Sequence, residues 1–414
     1  MMTLLVATGL LLGAFQEAPG GKAPQDKPKD LTELSLEELS NLEVTTASRK
    51  AQRLADVPAA VAVVRGEDIR RTGVRTIQDA LRMVPGVNVA RIDGGRWSVT
   101  IRGFGDRFSN KLQVLVDGRS IYTPLFSGVF WEMEDAFLED IDRIEVVRGP
   151  GGATWGANAV NGVINIITKK ASDTQGTSLH LGGGTEERDF GGARYGGTVG
   201  DVSYRAFAKW VDRDNQFKGH DEFFQARGGF RADWKAGADD LVTLSGEYFD
   251  GAAGVFGTNV IPTAPFREVS TRPYDLAGGH LMARWDRRLS DTSSLSTQVA
   301  YSRSDFSTGF FHETRDTVDL DFNHRFQLTE GQDFIWGLGY RVSHDRINGS
   351  FYITMDPEQR TDDVVSLFFQ DEIALSGNDL KLILGARGEH NDYTGYELSP
   401  TARLAFRPHE GHLV

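Results

Sequence analysis

The stretch that decides the fold is IDRIEVVRGPGGATWGANAVNGVINIITKK, residues 141–170. Two runs rich in β-branched residues, 141–147 and 162–168, flank a centre in which glycine and proline recur. Such runs, bounded by Gly and Pro, predict two strands joined by a tightly folded loop. The stretch also separates two parts of the chain. Short helices and strands are predicted before it, and long amphipathic strands are predicted after it.

The C-terminal part, residues 173–414, alternates apolar and polar residues over segments of about ten residues. Val318, Leu320 and Phe322, for example, alternate with Asp319 and Asp321. Segments of this kind predict a transmembrane β-barrel wall of about twelve strands, joined alternately by short turns and longer loops, the longer ones at 250–273 and 348–361. A soluble β-sandwich is the alternative, but its strands would need polar outer faces.

Composition excludes several classes of protein. The formal charge of −13 argues against a nucleic-acid partner, since binding to phosphates needs a basic surface. The chain has no cysteine, so neither a disulfide framework nor a thiolate metal site is possible. The mean hydropathy of −0.33 is that of a soluble protein, but a barrel that alternates lipid-facing and lumen-facing residues hides its hydrophobicity from averages.

The part before the deciding stretch, residues 51–172, predicts a compact α+β domain. Short strands are expected at 57–64, 87–92, 98–102 and 111–116, and helices at 66–72 and 76–84. Loops 91–97 and 120–131 carry many Arg, Trp, Phe and Tyr residues, which predicts a binding surface, with packing against the rest of the chain as the alternative. The residues expected to face a solute are Arg91, Asp93, Arg96, Trp97, Tyr122, Phe126, Phe130 and Trp131.

The N-terminus predicts a signal peptide at residues 1–16, since its apolar run is too short to span a membrane as a helix. A linker follows at 17–41, and a capping-box pattern at Ser35 and Glu38 near its end indicates a short acidic helix, either a docking element or a tether. The next segment, 42–48, is short and β-prone. A segment of this type can be lent to another protein as an added strand.

Three motifs carry a family resemblance: TIRGFG at 100–105, VLVDGRSIY at 114–122 and IEVVRGPGGATWGANAVNGVINIITK at 144–169. From about Leu42 onward the chain resembles the TonB-dependent outer-membrane receptors. The resemblance implies an α+β plug domain, residues 51–172, inside a transmembrane antiparallel β-barrel that begins at residue 173. It also implies a location in the outer membrane of a Gram-negative cell.

The resemblance assigns roles to two groups of residues. Residues 42–50 match the position of the TonB box region, the strand that the family donates to the periplasmic protein TonB. Arg102 and Arg148 match plug arginines that pair with barrel carboxylates and fasten the plug. The predicted box residues are Leu42, Glu43, Val44, Thr45 and Thr46.

Barrels in this family have 22 strands, about ten more than the alternation predicts here. Twelve tilted strands would close at a radius of roughly 12 Å. A folded domain of about 120 residues has an outer radius of roughly 17–18 Å and cannot fit inside. We therefore expect residues 173–414 to be the N-terminal part of a larger, truncated barrel.

The function that the resemblance implies is energy-coupled import of a scarce solute, such as a ferric siderophore or cobalamin. The implied partners are TonB with the ExbB–ExbD motor complex, outer-membrane lipid and a small-molecule ligand such as a metal chelate. Uptake of saccharides, peptides or metal ions is one alternative, and a surface receptor that signals without transport is another. No catalytic constellation can be placed, so we expect neither an enzyme nor a cofactor. The glycine-rich loop at 149–156, for instance, is followed by Ala157 rather than the lysine of a phosphate-binding loop.

Overall fold

The computed structural model describes residues 42–103, 105–215, 221–376 and 379–407. The predicted signal peptide at 1–16 and the predicted linker at 17–41 lie outside the described residues. Among the residues that are described, no helix is long and apolar enough to cross a membrane.

The N-terminal part consists of short elements. Its helices are α1 (Gly66–Thr72), α2 (Ile77–Leu81) and α3 (Gly152–Trp155), with 3-10 turns at Leu54–Asp56, Leu138–Asp140 and Ala171–Thr174. Its strands are β1 (Glu43–Val44), β2 (Gln52–Arg53), β3 (Ala60–Arg65), β4 (Val87–Arg91), β5 (Trp97–Ile101), β6 (Leu112–Val116), β7 (Arg119–Ser120), β8 (Ile141–Arg148) and β9 (Gly162–Thr168). The strand–loop–strand expected at 141–170 is confirmed as β8 and β9, and α3 lies in the loop between them.

Strands β3, β8, β9, β6 and β7 form one sheet in that order, with β6 parallel to β9 and the other pairs antiparallel. Their Ile and Val side chains, among them Ile144 and Ile164, are fully buried and build the core with α1 and α2. Gly162 allows β9 to approach β8, because a Cβ there would lie 2.5 Å from the carbonyl oxygen of Val147. This is the predicted α+β plug domain.

The C-terminal part is a sheet of long antiparallel strands that pair in sequence order. They are β10 (Gly176–Gly182), β11 (Glu187–Val199), β12 (Val202–Arg213), β13 (Phe223–Lys235), β14 (Asp240–Val260), β15 (Arg267–Ser290), β16 (Ser293–Thr308), β17 (His312–Thr329), β18 (Gln332–Asn348), β19 (Gln359–Ser376), β20 (Leu380–Asn391) and β21 (Gly395–Phe406). Within the described residues β10 and β21 do not pair with each other, so these twelve strands form an open wall.

One connection differs from its prediction. The long loop expected at 250–273 is wrong, because β14 continues to Val260 and β15 starts at Arg267. The pairing between them runs without a break from Asp250 opposite Ala277 to Val260 opposite Arg267. The sequence there is rich in Gly, Ala and Thr, a composition that favours a loop. The backbone groups of the two segments nevertheless form hydrogen bonds with each other across the hairpin.

The wall has two chemically different faces. On β19, Val365, Leu367 and Phe369 point outward and are exposed, whereas Ser366 and Phe368 point inward and are buried. This alternation is that of a strand with one apolar face toward lipid and one face toward a lumen.

Ion pairs and an apolar cluster join the plug to the inner face of the wall. Arg194 lies 2.5 Å from Asp140, and Lys209 lies 2.6 Å from Asp135. The predicted fold, an α+β plug with an antiparallel transmembrane barrel wall, is therefore confirmed.

Candidate functional site

The predicted TonB box is folded back onto the plug. Strand β1 pairs with β2 in a hairpin that is only two residues deep, and the N–H of Leu54 donates to the carbonyl oxygen of Leu42. Val44 and Thr46 are each only 1% exposed. The segment 42–46 is therefore covered in this conformation, and a partner strand cannot reach all of it.

A single carboxylate holds the middle of this segment. The backbone N–H groups of Thr45 and Thr46 donate to Oε2 of Glu145, at 2.9 and 2.7 Å. Glu145, on β8, has no exposed surface, and its Oε1 accepts from Nε of Arg143 at 2.8 Å. Hydrogen bonds to an ionised acceptor are about twice as strong as neutral ones, so Glu145 is the main anchor of the segment.

Two further plug side chains bind Thr46. The indole Nε1 of Trp155 donates to the carbonyl oxygen of Thr46 at 2.6 Å. The side-chain amide of Asn165 donates to the Thr46 hydroxyl at 3.2 Å. Both residues lie within the stretch 141–170, so that stretch forms much of the surface on which the segment rests.

The two basic residues that follow the segment reach across to the wall. Nη1 of Arg49 lies 2.8 Å from Asp321 on β17, and Nζ of Lys50 lies 2.7 Å from Asp333 and 2.5 Å from Glu372. No contact of Arg49 or Lys50 with the wall was predicted from the sequence. The sequence does show a basic dipeptide directly after a β-prone segment, which could have indicated an ion-pair site. The carboxylates that bind these two residues, however, lie far away in the sequence.

The expected role of Arg102 and Arg148 does not match their contacts. Nη2 of Arg102 donates to the carbonyl oxygen of Arg148 at 3.0 Å, and Nη1 of Arg148 donates to that of Pro85 at 3.0 Å. Neither forms an ion pair with a barrel carboxylate within the described chain. Among the described residues, Arg75 of the plug pairs with Glu187 of β11 at 2.7 Å, and Arg49 and Lys50 pair with carboxylates of β17, β18 and β19.

The second loop region brings aromatic side chains together. Phe126 and Phe130, with Phe108 of the plug and Phe306 and Phe311 of the wall, form what we call the aromatic cluster. Ring centroids lie 5.3 Å apart for Phe108–Phe126 and 4.7 Å apart for Phe130–Phe306. Phe126 remains 48% exposed and has a φ of 60°, an unusual conformation for a bulky residue.

A buried polar triad stands beside the aromatic cluster. The Tyr274 hydroxyl donates to Oε1 of Glu132 at 2.5 Å, and Nη2 of Arg107 lies 2.5 Å from the same oxygen. Arg107 and Glu132 belong to the plug and Tyr274 to β15. The triad therefore fixes the plug loops against the wall at this end.

Several loop residues expected to face a solute do not. Trp97 and Trp131 are each 3% exposed and lie in the plug core, so this part of the prediction is wrong for them. Asp93 is buried and accepts from the backbone N–H of Arg96, while Arg91 donates to the carbonyl oxygen of Asp93.

Loop 91–97 as a whole is docked on the wall. The N–H of Gly94 donates to Asp221 at 3.0 Å, and Arg213 donates to the carbonyl oxygen of Gly94. Loop 91–97 therefore satisfies its polar groups within the protein, which was the alternative reading of these loops. Tyr122, Phe126 and Phe130 remain the candidates for solute contact.

A cavity of about 510 Å³ lies between the plug and the wall. Tyr122 and Phe130 line it beside the aromatic cluster, and Tyr393 lines it at the turn between β20 and β21. Arg49 and Asp321 line it next to the segment 42–46. One space thus extends from the aromatic cluster to the contacts that hold the predicted TonB box. Within the described residues, no group of His, Asp or Glu is arranged to hold a metal ion.

Comparison with known families decides the identity. Residues 53–163 match the sequence model of the TonB-dependent receptor plug domain, and residues 174–414 match that of the TonB-dependent receptor-like β-barrel. The chain belongs to the TonB-dependent receptor family. Family membership places it in the outer membrane, among receptors rather than among enzymes.

Two curated relatives illustrate the similarity. The vitamin B12 transporter BtuB of Vibrio vulnificus is 38% identical over 146 residues, which cover 34% of this chain and 23% of that protein. An iron-regulated outer membrane virulence protein of Vibrio cholerae is 39% identical over 134 residues, 31% of this chain and 20% of that protein. The matched part of the chain therefore covers less than a quarter of the length of each of these relatives.

Solved structures show the same fold. The siderophore receptor PirA of Pseudomonas aeruginosa superposes with a TM-score of 0.66 at 19% identity, covering 85% of this chain and 60% of PirA. The ferripyoverdine receptor of the same organism, bound to ferripyoverdine, gives 0.66 at 17% identity, covering 89% and 56%. At these identities the likeness concerns the fold alone.

Proposed function

We propose that this TonB-dependent receptor imports a scarce solute across the outer membrane, with energy delivered through TonB and its ExbB–ExbD motor complex. The observation that carries the proposal is the state of the segment 42–46. It is β-prone and paired over only two residues, and Trp155, one of the residues that hold it, also borders the cavity.

The short pairing of β1 with β2 favours exchange of one strand partner for another. A two-stranded ribbon of this depth has little stability of its own. Once Glu145 and Trp155 release Thr45 and Thr46, the segment can pair with a strand of TonB by β-augmentation, in which main-chain hydrogen bonds supply the affinity.

The contacts between plug and wall support movement of the plug under force. Ion pairs such as Arg49–Asp321 and Lys50–Glu372 can exchange for contacts with water when they separate. An apolar interface of the same size would resist separation more, because it would expose hydrophobic surface. The polar part of the interface near the segment 42–46 can therefore separate and form again.

For the solute we propose a ferric siderophore or cobalamin that binds at the aromatic cluster. Relatives named for vitamin B12 transport and for regulation by iron support this class. The exposed ring of Phe126 contacts Phe130, which lines the lumenal cavity, and offers a flat apolar surface to such a molecule. Saccharides, peptides and metal ions are the alternative solutes.

The test is deletion of residues 42–46 in cells that lack their own receptors for the solutes tested. Uptake of labelled cyanocobalamin and of a ferric siderophore is measured beside binding at the cell surface. We expect binding to survive the deletion and uptake to be lost. Uptake that persists would overturn the energised mechanism, and binding without uptake in the undeleted protein would favour a signalling receptor.

A further inference from the structure

Helix α3 and the turn after it, residues 152–158, contact the predicted TonB box directly. Besides the bond from Trp155 to Thr46, the carbonyl oxygen of Thr154 accepts from Nε of Arg49 at 3.1 Å. The guanidinium of Arg49 also lies 4.2 Å from the ring centroid of Trp155. The last two residues of α3 therefore hold both ends of the stretch from Thr46 to Arg49.

The opposite side of the same element is fastened to strand β20. The N–H of Ala157 donates to Oε2 of Glu389 at 3.1 Å, and Nη1 of Arg387 donates to the Thr154 carbonyl oxygen at 3.4 Å. Arg387 and Glu389 pair with each other at 3.0 Å. The carbonyl of Thr154 is thus shared between Arg49, next to the segment, and Arg387, on the wall.

The element also borders the cavity. Trp155, Gly156 and Ala157 line it together with Arg387 and Glu389. The backbone comes so close to the wall that a Cβ on Gly156, whose φ is 95°, would lie 2.8 Å from Oε2 of Glu389. A solute that reaches Glu389 therefore meets the turn as well.

The helix cannot keep this position by itself. It is a single turn of four residues without a side-chain cap at its N-terminus, and one helical turn is unstable in isolation. Within the plug, the N–H of Gly151 donates to the carbonyl oxygen of Ala159 at 2.8 Å and Trp155 packs against the apolar cluster around Val163. The remaining contacts of the helix are with the segment on one side and with Glu389 and Arg387 on the other. Loss of the contacts on one side of the helix should therefore weaken the contacts on its other side.

We propose that residues 152–158 couple occupation of the cavity to release of the segment 42–46, an inference that rests on the proposed function. A solute with hydrogen-bond donors binds Glu389 and withdraws the carboxylate from the N–H of Ala157. The turn then shifts, and the bond from Trp155 to Thr46 breaks. Trp155 and Glu389 are positioning residues in this scheme.

The test needs neither the solute nor TonB. Because the native chain has no cysteine, Glu43→Cys creates a single attachment site for a nitroxide spin label on the exposed side chain of β1. The full chain is studied in outer-membrane vesicles by electron paramagnetic resonance. We expect Trp155→Phe, which keeps the ring but loses the N–H donor, to raise the ratio of mobile to immobile label about fivefold, the effect of one hydrogen bond.

The decisive variant is Glu389→Ala, because Glu389 makes no hydrogen bond or ion pair with residues 42–50 in the described chain. We expect it to raise the same ratio by a similar factor. Asp345→Ala is the matched control: Asp345 is also a wall carboxylate paired with an arginine, Arg315 at 2.8 Å, and its side chain is 11% exposed against 12% for Glu389. The control should leave the spectrum unchanged.

Each other outcome has a definite meaning. If Trp155→Phe frees the label and Glu389→Ala does not, the coupling to the wall is overturned. If Asp345→Ala frees the label as much as Glu389→Ala, the effect is general loosening of the wall and the proposal is again overturned. Loss of uptake on deletion of 42–46 is a separate result, so the proposed function can stand even if this coupling fails.

Discussion

Nη1 of Arg49 lies 2.8 Å from a carboxylate oxygen of Asp321, a residue 272 positions further along the chain. The same guanidinium lies 4.6 Å from the ring centroid of Phe368, on the inner face of the wall. Only 7% of the Arg49 side chain is exposed. This contact joins the end of the predicted TonB box to the wall, so its strength bears on how firmly the plug is held.

Replacing Arg49 by methionine should weaken the attachment of the plug. The change leaves the carboxylate of Asp321 without its cation, which costs roughly 1–3 kcal/mol of unfolding free energy for a pair between surface and full burial. Urea denaturation followed by tryptophan fluorescence measures this loss. The double variant Arg49→Met with Asp321→Asn should recover part of it, because no unpaired charge remains.

Arg53→Met serves as the control for that experiment. The side chain of Arg53 is largely exposed and pairs with Asp56 at 2.8 Å. An exposed pair contributes about 0–1 kcal/mol, so this variant should shift the urea midpoint little. Equal shifts for Arg49→Met and Arg53→Met would contradict a special role for the contact with Asp321.

Glu145→Gln should expose the predicted TonB box. The amide of glutamine is neutral: with its oxygen in the place of Oε2 it accepts only uncharged bonds from Thr45 and Thr46, and its NH₂ group confronts Nε of Arg143. Loss of two charge-assisted bonds should speed maleimide modification of a cysteine at Glu43 about tenfold or more. Glu132→Gln removes another buried plug carboxylate far from this segment. A rate that rises equally in both variants would show general loosening rather than loss of an anchor.

The parts of the fold that local pattern determines were predicted from the sequence. The stretch 141–170 specifies β8 and β9 because β-branched runs and glycines act over a few residues. The contacts of the site were harder. Arg49 and Lys50 find their carboxylates 272 to 322 residues away, and no local signal reports such a distance.

The direction in which a loop side chain points was the second feature that could not be predicted from the sequence. Trp97 and Trp131 have the composition of a binding loop, but they point into the plug core. Arg102 and Arg148 lie in motif positions, yet each donates to a carbonyl oxygen of the plug. The type of a loop residue determines which contacts its side chain can make. The packing of the whole plug against the wall determines which of those contacts form.

Helix α1 should lose stability in acid. Hydrogen bonds from Arg70 and Arg71 lower the pKa of Glu67 from 4.5 to about 2. A group whose pKa is lowered in the folded state contributes stability above its unfolded pKa and loses it as the pH falls toward the folded value. The contribution of Glu67 is therefore complete above about pH 4.5 and disappears between about pH 4.5 and 2.

Hydrogen exchange of the α1 amides, corrected for intrinsic rates, measures this loss at about pH 6 and about pH 2.5. The native chain should lose protection in α1 between these two pH values. Glu67→Gln should show lower protection at the higher pH and a smaller change on acidification. An identical pH response in the two proteins would mean that other carboxylates, such as Asp68, govern the helix.

Phe126 offers a way to separate solute binding from stability. Its φ of 60° is followed by 54° at Ser127, and such conformations cost about 1–3 kcal/mol for a side-chain-bearing residue. Phe126→Gly removes the strain at position 126 and also the stacking on Phe108. Because these effects oppose each other, we expect the unfolding free energy to change by less than about 1 kcal/mol.

Solute binding should respond differently to the same change. The exposed ring is the contact surface that we propose, and removing a central aromatic contact costs about 2 kcal/mol, or more than tenfold in affinity. The half-saturating concentration for uptake of cyanocobalamin or a ferric siderophore, whichever the protein imports, should rise accordingly. Phe351→Gly is the control, because Phe351 is still more exposed, at 74%, and its ring pairs with that of Tyr352, outside the aromatic cluster. If both variants import with native affinity, the aromatic cluster is not the solute site and the binding surface lies elsewhere in the lumen.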